Sequence, residues 1–308
     1  MTKNKEKNIT LSLRPITNHK IRIVRIITQL VIFSLLNGLI FGLARVSLIL
    51  PIEYPTGGPF STVWSGFEAL QYGLTIFTFP YLVIAIFGLF GAVAGKTTCG
   101  WACPMGLFQD LFSYIPIKKK KVSKPTEKSL RSFAVFIIIF ALVFSLVIGI
   151  SYNKNGAAAK DAYGIWGNIP YSVLDPVATI FATLFYYLKW GIQAETLGAE
   201  MGDWKFWFIA RIIFLAIILI LITLYPRAYC RWFCPTGYIL GFFNRFSLFG
   251  LKINKNRCPT GCNKCEKACP VQVPILDYDK NITHPNCTNC GECIDACPEG
   301  ALKIGFRF

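Results

Sequence analysis

Four long runs of apolar residues, separated by polar segments, set the pattern of this chain. Each run is close to the ~20 residues that cross a bilayer as an α-helix. Their approximate ranges are 23–44, 74–95, 133–152 and 206–225. The chain is 54% hydrophobic and its mean hydropathy is +0.48, well above the values of a soluble globular protein. We therefore predict an all-α membrane core of four transmembrane helices.

Lys and Arg are distributed unevenly over the polar segments. They outnumber Asp and Glu in residues 1–25 (7 to 1), 96–131 (8 to 2) and 227–308 (11 to 6), but not in 45–73 (1 to 2) or 153–205 (4 to 5). Because cytoplasmic loops carry the excess of Lys and Arg, this alternation predicts a multi-pass protein of the cell membrane with both termini in the cytoplasm. The net charge of +16 is then mostly a topology signal, and we expect no nucleic-acid binding.

Two predicted outer loops contain shorter apolar stretches. One begins with Pro-Phe-Ser at Pro59, and the other begins with Pro-Tyr-Ser at Pro170. Both are too short to span a bilayer comfortably, so we predict interfacial or re-entrant helices. The alternative for the second stretch is a fifth spanning helix. The charge alternation disfavours it, because an odd number of spans would place the C-terminal Cys residues outside the cell.

An internal repeat relates the two halves of the predicted core. Residues 99–106 are Cys-Gly-Trp-Ala-Cys-Pro-Met-Gly, and residues 230–237 are Cys-Arg-Trp-Phe-Cys-Pro-Thr-Gly. Phe112 and Phe243 match at the same offset. Each motif follows an even-numbered span, which predicts a duplicated two-helix unit of unchanged orientation. Residues 191–204 are predicted to be an insertion in the second half.

Two runs of four Cys lie near the C-terminus. They are Cys258-x3-Cys262-x2-Cys265-x3-Cys269-Pro and Cys287-x2-Cys290-x2-Cys293-x3-Cys297-Pro. The second has the spacing of bacterial two-cluster ferredoxins, in which the fourth Cys of a run ligates the other cluster. The first has one extra residue between its first two Cys. A structural zinc site is the alternative, but it usually has two separated Cys pairs.

This spacing predicts a small α+β ferredoxin-like domain that holds two 4Fe–4S clusters. We assign one cluster to Cys258, Cys262, Cys265 and Cys297. We assign the other cluster to Cys269, Cys287, Cys290 and Cys293. Clusters bound by thiolates favour a reducing compartment, which agrees with a cytoplasmic C-terminus.

The other four of the 12 Cys belong to the repeated motifs and are predicted to meet at one membrane face. They are Cys99, Cys103, Cys230 and Cys234. Pseudo-symmetry would bring two thiols from each half together, which predicts a third cluster or a redox-active thiol site. The alternatives are packed structural thiols and a zinc site. Every Cys falls in a short motif, which leaves no obvious disulfide framework.

Two residue types limit the redox chemistry of this chain. It has 2 His and 3 Met, and both His, at 19 and 284, lie outside the apolar runs. A haem with His ligands inside the membrane is therefore not expected from this chain, so electrons would not cross the bilayer through it alone. We expect any quinone site in the cytoplasmic half, near the paired Cys. Its candidate wall residues are Lys96, Trp101, Arg227 and Trp232, although the two Trp fit interface anchors equally well.

Arg211 lies inside the fourth apolar run. A charge within a membrane usually has a function and a partner. Glu68 or Asp175 in the outer loops could pair with it. The alternatives are a purely structural ion pair and a side chain that extends to the outer interface.

These motifs resemble those of the NapH/NosR/CcoG group of membrane polyferredoxins. The resemblance rests on residues 99–106 and 230–237 together with the four runs and the two-cluster tail, and it covers nearly the whole chain. The size is most similar to the NapH type, a quinol dehydrogenase subunit that serves periplasmic nitrate reductase. Members of the NosR type have an outer flavin-bearing domain, and those of the CcoG type, assembly factors for copper–haem oxidases, have a further C-terminal domain. We expect neither here.

The motifs and the resemblance together predict an iron–sulfur protein that passes electrons between the quinol pool and a partner redox protein. Such a partner would be another iron–sulfur or cytochrome subunit. The alternative is an electron-donating maturation factor for a metal-containing respiratory oxidase or reductase. A third hypothesis is a structural membrane anchor whose clusters only connect a neighbouring redox protein. We expect three segments: a basic cytoplasmic segment (1–22), a membrane domain (23–245) and a ferredoxin-like domain (246–308).

Overall fold

Helix α1 (Lys20–Leu36) begins the described part of the chain. The computed structural model describes residues 20–44, 48–56, 61–117, 119–173, 175–184, 204–259 and 261–307. With 17 residues, α1 is about 26 Å long, which is shorter than the predicted first span. The helix ends before Asn37 and a 3-10 turn at Gly38–Phe41. Gly42 then has a φ of 77°, a left-handed conformation that ends the helical run.

The predicted second span is broken into two helices. Short parallel strands β1 (Ile49–Leu50) and β2 (Trp64–Ser65) precede them. Helix α2 (Gly66–Thr75) and helix α3 (Tyr81–Ala94) are separated by a turn. Phe77 in this turn has a φ of 57°, and Pro80 lacks the amide that would continue the helix. The expectation of one helix over 74–95 was therefore wrong.

The first Cys motif forms two short helices at the end of α3. Helix α4 (Thr97–Trp101) contains Cys99, and helix α5 (Pro104–Ser113) follows it. Cys103 is the N-cap of α5, and Pro104 occupies its first turn. Proline suits this position because the amide it lacks would have no partner within the helix.

Helix α6 (Lys124–Asn155) is the longest described helix, with 32 residues. At its start, the Ser123 side chain accepts a hydrogen bond from the Thr126 amide. The α2 backbone packs closely on α6, because a Cβ on Gly149 would overlap the Leu74 carbonyl. Two shorter helices follow, α7 (Ala157–Ala162) and α8 (Pro176–Ala178).

The second predicted re-entrant stretch is irregular where the structure describes it. It has a 3-10 turn at Pro170–Val173, α8, and a π-helical turn at Thr179–Thr183. The predicted insertion, 191–204, lies outside the described residues except for its last position. Residues 57–60, at the start of the first stretch, also lie outside them.

Helix α9 (Trp204–Leu224) coincides with most of the fourth predicted span. Among the described helices, α6 and the 206–224 part of α9 are long and apolar enough to cross a membrane. They coincide with the third and fourth predicted spans. Exposed Phe, Ile, Leu and Val side chains cover much of both helices. Helix α3 is also apolar, but its 14 residues reach only about 21 Å.

The second Cys motif repeats the local structure of the first. Helix α10 (Ala228–Trp232) contains Cys230, and helix α11 (Pro235–Phe243) follows. Cys234 is the N-cap of α11, as Cys103 is of α5. Both motifs therefore fold as a five-residue helix, a Cys cap and a second helix that begins with Pro.

The C-terminal segment forms a separate small core. Strands β3 (Phe249–Ile253) and β4 (Leu302–Phe306) pair antiparallel, with Phe249 opposite Phe306 and Ile253 opposite Leu302. Between them lie helices α12 (Lys264–Ala268) and α13 (Glu292–Asp295). Buried apolar side chains and several Cys pack under the sheet.

Candidate functional site

The two Cys runs of the tail line two cavities. One cavity is lined by Cys258, Cys262, Cys265 and Cys297. The other is lined by Cys269, Cys287, Cys290 and Cys293. Each cavity thus receives three thiols from one run and the fourth from the other run. We call the first the outer cavity and the second the inner cavity.

These cavities fit two 4Fe–4S clusters. All eight thiols are free rather than paired in disulfides. In each cavity, a backbone amide donates to the thiol that comes from the other Cys run. Val273 N–H donates to Cys269 Sγ (3.3 Å), and Ala301 N–H donates to Cys297 Sγ (3.4 Å). Such hydrogen bonds to sulfur are a means by which proteins set cluster potentials. Each cavity is therefore lined by four thiols, the number of ligands that a 4Fe–4S cluster takes.

The cysteines of the two cavities differ in burial, since Cys258, Cys262 and Cys297 are partly exposed whereas Cys287, Cys290 and Cys293 are buried. Residues 286–291, which carry two Cys of the inner cavity, are all buried. Residues 254–257, which lead into the outer cavity, are all exposed. The inner cavity therefore lies on the side of the tail that contacts the helical core, and the outer cavity lies on the side that faces solvent.

The inner-cavity loop contacts α4, the helix that contains Cys99. Trp101 Nε1 donates to the Asn289 carbonyl (2.9 Å), and Asn289 Nδ2 donates to Thr97 Oγ1 (2.7 Å). Gly100 faces the Thr288 carbonyl so closely that a Cβ would overlap it. The cluster-binding loop and the first Cys motif are therefore in direct contact.

A buried ion network fastens the same loop to the core. Arg227 donates two hydrogen bonds to Asp110 (2.9 and 2.6 Å) and a third to Thr288 Oγ1 (2.6 Å). Arg25 lies 3.3 Å from Asp110 and also donates to the Cys290 carbonyl (3.0 Å). Burial alone would raise the pKa of Asp110, but the two guanidinium groups outweigh it and hold this pKa below its ordinary value.

Glu127 forms a second contact between core and tail. Its carboxylate accepts hydrogen bonds from Arg231 (2.5 Å), Trp232 Nε1 (2.9 Å) and Asn286 Nδ2 (2.6 Å). These donors come from the second Cys motif and from the inner-cavity loop. Both repeated motifs therefore have a direct anchor to the tail.

Cys99, Cys103, Cys230 and Cys234, which we call the cysteine quartet, are buried together in the core. Each is 3–5% exposed. Cys103, Cys230 and Cys234 pack in one buried cluster of side chains, and Cys99 packs in another. Burial raises the pKa of Cys103 and of Cys234. Gln109 Nε2 donates to Cys230 Sγ (2.9 Å). A buried thiol set of this kind holds thiolates only when a metal or a cation compensates their charge.

Sequence reasoning missed Glu53, which lies beside the quartet. Its side chain is 1% exposed and accepts hydrogen bonds from Thr236 Oγ1 (2.6 Å) and Cys234 Sγ (3.6 Å). Its carbonyl accepts from Cys103 Sγ (3.7 Å). The loop is held by Tyr54, whose hydroxyl donates to Asn37 (2.6 Å). Residues 45–73 hold two acids, Glu53 and Glu68, and an acid in this apolar segment was the signal that could have identified it.

The four candidate quinone residues lie between the core and the tail. Arg227 and Trp232 are about 1% exposed and bind Asp110 and Glu127. Lys96 is 2% exposed and donates to the Cys230 carbonyl (3.0 Å). Trp101 is half-buried and donates to the tail. Each polar group thus already has a partner within the protein.

Arg211 is held by two hydrogen bonds rather than by either of the predicted salt bridges. It donates to the Val173 carbonyl (2.7 Å) and to Thr183 Oγ1 (3.1 Å). Asp175 instead caps α8 through the Ala178 amide (2.8 Å). Glu68, the other predicted partner, accepts from the Thr56 amide (2.5 Å). The Arg211 contacts therefore hold α9 against the segment that contains Val173 and Thr183.

Family models match both chemical regions of the chain. Residues 257–302 match a model described as a 4Fe-4S dicluster domain. Residues 75–125 and 206–256 both match a model described as a 4Fe-4S binding domain. The second model therefore matches each half of the repeat, including all four quartet Cys. No solved structure matches the chain.

Curated relatives share this combination. An uncharacterized protein of Methanocaldococcus jannaschii is 29% identical over 69% of this chain and 65% of its own length. The regulatory protein NosR of Stutzerimonas stutzeri is 28% identical over 63% of this chain, which spans 22% of NosR. The ferredoxin-type protein NapH of Haemophilus influenzae is 26% identical over 73% of this chain and 67% of its own length.

The relatives agree with the geometry of the tail and of the repeated motifs. The protein is related to the ferredoxin-type protein NapH and to NosR, and the family models support 4Fe–4S clusters in it. Two described helices and these relatives point to a membrane protein. The chain is related to the NapH/NosR-like family of polyferredoxins.

Proposed function

We propose that this protein transfers electrons between the quinol pool and a partner redox protein, through the cysteine quartet and then the inner and outer cavities. One observation carries the proposal: α4, which contains Cys99, contacts the loop that lines the inner cavity through Trp101 and Thr97. The order of the sites follows from this contact and from the exposure of the outer cavity.

In this proposal three sites hold 4Fe–4S clusters, which exchange single electrons when bound. The tail cavities take one each, and the quartet takes the third. The match of both repeat halves to a 4Fe-4S binding model supports the third site. The burial of all four quartet thiols also supports it, because unpaired thiolates would be costly there.

The exposure of the outer cavity supports a soluble or membrane-bound redox partner that meets the tail there. The outer-cavity rim at 254–257 is exposed, whereas the inner-cavity loop is covered by the core. A partner can therefore approach one tail site closely and not the other. We further propose that both termini are cytoplasmic, which places the quartet and the tail on the cytoplasmic side.

Trp101 is our preferred contact for a quinone among the four candidates. Arg227, Trp232 and Lys96 are almost completely buried and hydrogen-bonded, but Trp101 keeps part of its ring exposed. An exposed indole face offers stacking area for a quinone ring.

The same electron route would serve the alternative function, which is that of a maturation factor. A deletion strain that loses mature oxidase but keeps quinol-dependent electron flow would favour the alternative.

The proposal is tested on the purified full chain in lipid nanodiscs under anaerobic conditions. Iron and acid-labile sulfide analysis should give three clusters per chain. A short-chain quinol should reduce them, as followed by electron paramagnetic resonance, and dithionite provides the positive control. A preparation that contains the clusters and is reduced by dithionite, but by no quinol in the presence of its partners, would refute the quinol function.

A further inference from the structure

Four exposed apolar side chains lie where α11 meets the tail. Phe242 is 56% exposed, Phe246 69%, Leu248 43% and Phe306 60%. The rings of Phe242 and Phe246 lie 6.2 Å apart, and the Leu248 carbonyl accepts a hydrogen bond from the Arg307 amide (2.7 Å). We call these four residues the apolar patch. Single exposed apolar residues are ordinary, but a contiguous group of them usually marks a contact surface.

The apolar patch continues the exposed apolar surface of α3. Leu248 N–H donates to the Ala92 carbonyl in the last turn of α3 (2.8 Å). Phe243 of α11 packs so tightly on Gly91 that a Cβ there would overlap its ring. In the same turn of α3, the Val93 side chain is 43% exposed. The patch therefore begins where an apolar helix of the core ends.

The chain segments that form the patch carry positive charge and no negative charge. Residues 204–265 and 300–308 contain no Asp or Glu. Arg245, which lies between Phe242 and Phe246 in the chain, is exposed. Exposed aromatic and aliphatic side chains with basic side chains beside them are typical of surfaces that lie at the boundary between acyl chains and headgroups. Phospholipid, with its acyl chains and its phosphate groups, is the partner that fits both features.

The tail sheet places the patch and the outer cavity at opposite ends. Phe306 pairs with Phe249 at one end of the sheet, and Leu302 pairs with Ile253 at the other end. Ile253 and Leu302 also line the outer cavity. Since four residue steps separate Phe249 from Ile253, the two ends lie about 14 Å apart. A surface that covers the patch therefore leaves the outer cavity free.

We propose that the apolar patch inserts into the lipid interface beside the helical core, so that the tail sheet stands on the bilayer with its outer-cavity end in water. Acyl chains contact the exposed Phe rings, and phosphate groups contact Arg245. The continuity of the patch with α3 favours lipid over a soluble protein as the occupant. The inference requires a bilayer around the core but no cluster at any site, so it is independent of the electron route.

The lipid contact holds the tail from a second side. The buried ion network holds the inner-cavity loop, whereas the patch includes the end of β4. Arg307 joins β4 to the turn after α11, because its guanidinium donates to the Asn244 carbonyl (2.6 Å) and to Ser247 Oγ (2.8 Å). The two parts of the patch are therefore fixed to each other. The tail then has one orientation on the bilayer, in which a redox partner reaches the outer cavity from the water.

The experiment places a photo-crosslinking side chain, p-benzoylphenylalanine, at single positions of the full chain in nanodiscs of phosphatidylcholine and phosphatidylglycerol. Phe246 and Phe306 are the test positions. Ile139, which is 57% exposed on α6, is the positive control for lipid contact, and Asn256, exposed beside the outer cavity, is the negative control. Mass spectrometry after irradiation measures the fraction of chains that carry a phospholipid adduct. We expect adducts at both test positions and at Ile139, and none at Asn256.

Each other outcome overturns the inference in an identifiable way. Adducts at Ile139 but at neither Phe246 nor Phe306 show that the patch lies outside the lipid. A crosslink from the patch to another part of this chain, or to a second copy, shows that protein covers it. Adducts at Asn256 as frequent as those at Phe306 show that the tail has no fixed orientation. If Ile139 gives no adduct either, the core is not in lipid, and the membrane assignment falls together with the inference.

Discussion

The Arg25–Asp110–Arg227 network should decide whether the tail stays docked on the core. Asp110→Asn keeps the shape of the side chain but removes its charge. The Arg25 and Arg227 side chains, 3% and 2% exposed, would then lose the carboxylate between them. Both guanidinium groups contact the inner-cavity loop, through the Cys290 carbonyl and through Thr288. The substitution should therefore weaken the docking of this loop in particular.

The expected magnitude follows from the burial of the network. Removing one partner of a buried ion pair typically costs about 3–5 kcal/mol. We expect the lower end, about 3 kcal/mol, because Arg25 keeps Glu292 at 2.9 Å and Arg227 keeps Thr288. That free energy corresponds to about a hundredfold change in the equilibrium between docked and undocked tail.

Hydrogen–deuterium exchange of the full chain measures this equilibrium directly. The amides of residues 286–293 should exchange much faster in Asp110→Asn, while those within α6 should be unaffected. Asp279→Asn is the control, since Asp279 is 91% exposed in its pair with Lys255 and should matter little. Equal protection of residues 286–293 in Asp110→Asn and the unaltered protein would refute our account of the docking.

Three further substitutions test other parts of the account. Gly100→Ala should loosen the tail, because the added Cβ overlaps the Thr288 carbonyl, and limited proteolysis should release the tail sooner; unchanged proteolysis would contradict this contact. Cys297→Ala should remove the outer-cavity cluster and leave the other signals, as iron analysis and paramagnetic resonance would show, whereas loss of the inner-cavity signal alone would refute the ligand assignment. Glu127→Gln should destabilise the fold by about 3 kcal/mol, since Arg231 is 2% exposed and loses its anion; an unchanged melting temperature would argue against it.

The predicted ligand sets of the tail rest on local chemistry in the sequence. The Cys spacing predicts which thiols share a cluster, and the same sets line two cavities in the structure. The prediction is possible because a cubane takes three thiols from one short loop, so the ligand pattern is local. Helices α6 and α9 were also predictable, since an uninterrupted apolar run of their length has few alternatives.

The break between α2 and α3 could not be predicted from hydrophobicity. The segment around Phe77 is as apolar as the helices beside it, so the pattern shows no interruption. The turn depends instead on backbone geometry, with a φ of 57° at Phe77 and Pro80 just beyond it. Only the proline was visible in the sequence, and a proline is also tolerated in the first turn of a helix.

The charged groups around the quartet depend on contacts between distant segments. Glu53 reaches Thr236 across the repeat, and Asp110 reaches Arg227 from the other half. No local pattern predicts which distant partner a buried charge will meet. Sequence analysis placed Lys96 and Arg227 near the quartet but did not predict that the tail would cover this end of the core.

The central claim is that electrons reach the tail through the quartet. The most direct test is the rate at which a quinol reduces the tail clusters in nanodiscs, compared between the unaltered protein and Cys103→Ser combined with Cys234→Ser. The account predicts that the double variant keeps both tail clusters and their reduction by dithionite but loses their reduction by quinol. An unchanged quinol-dependent rate in the double variant would contradict it.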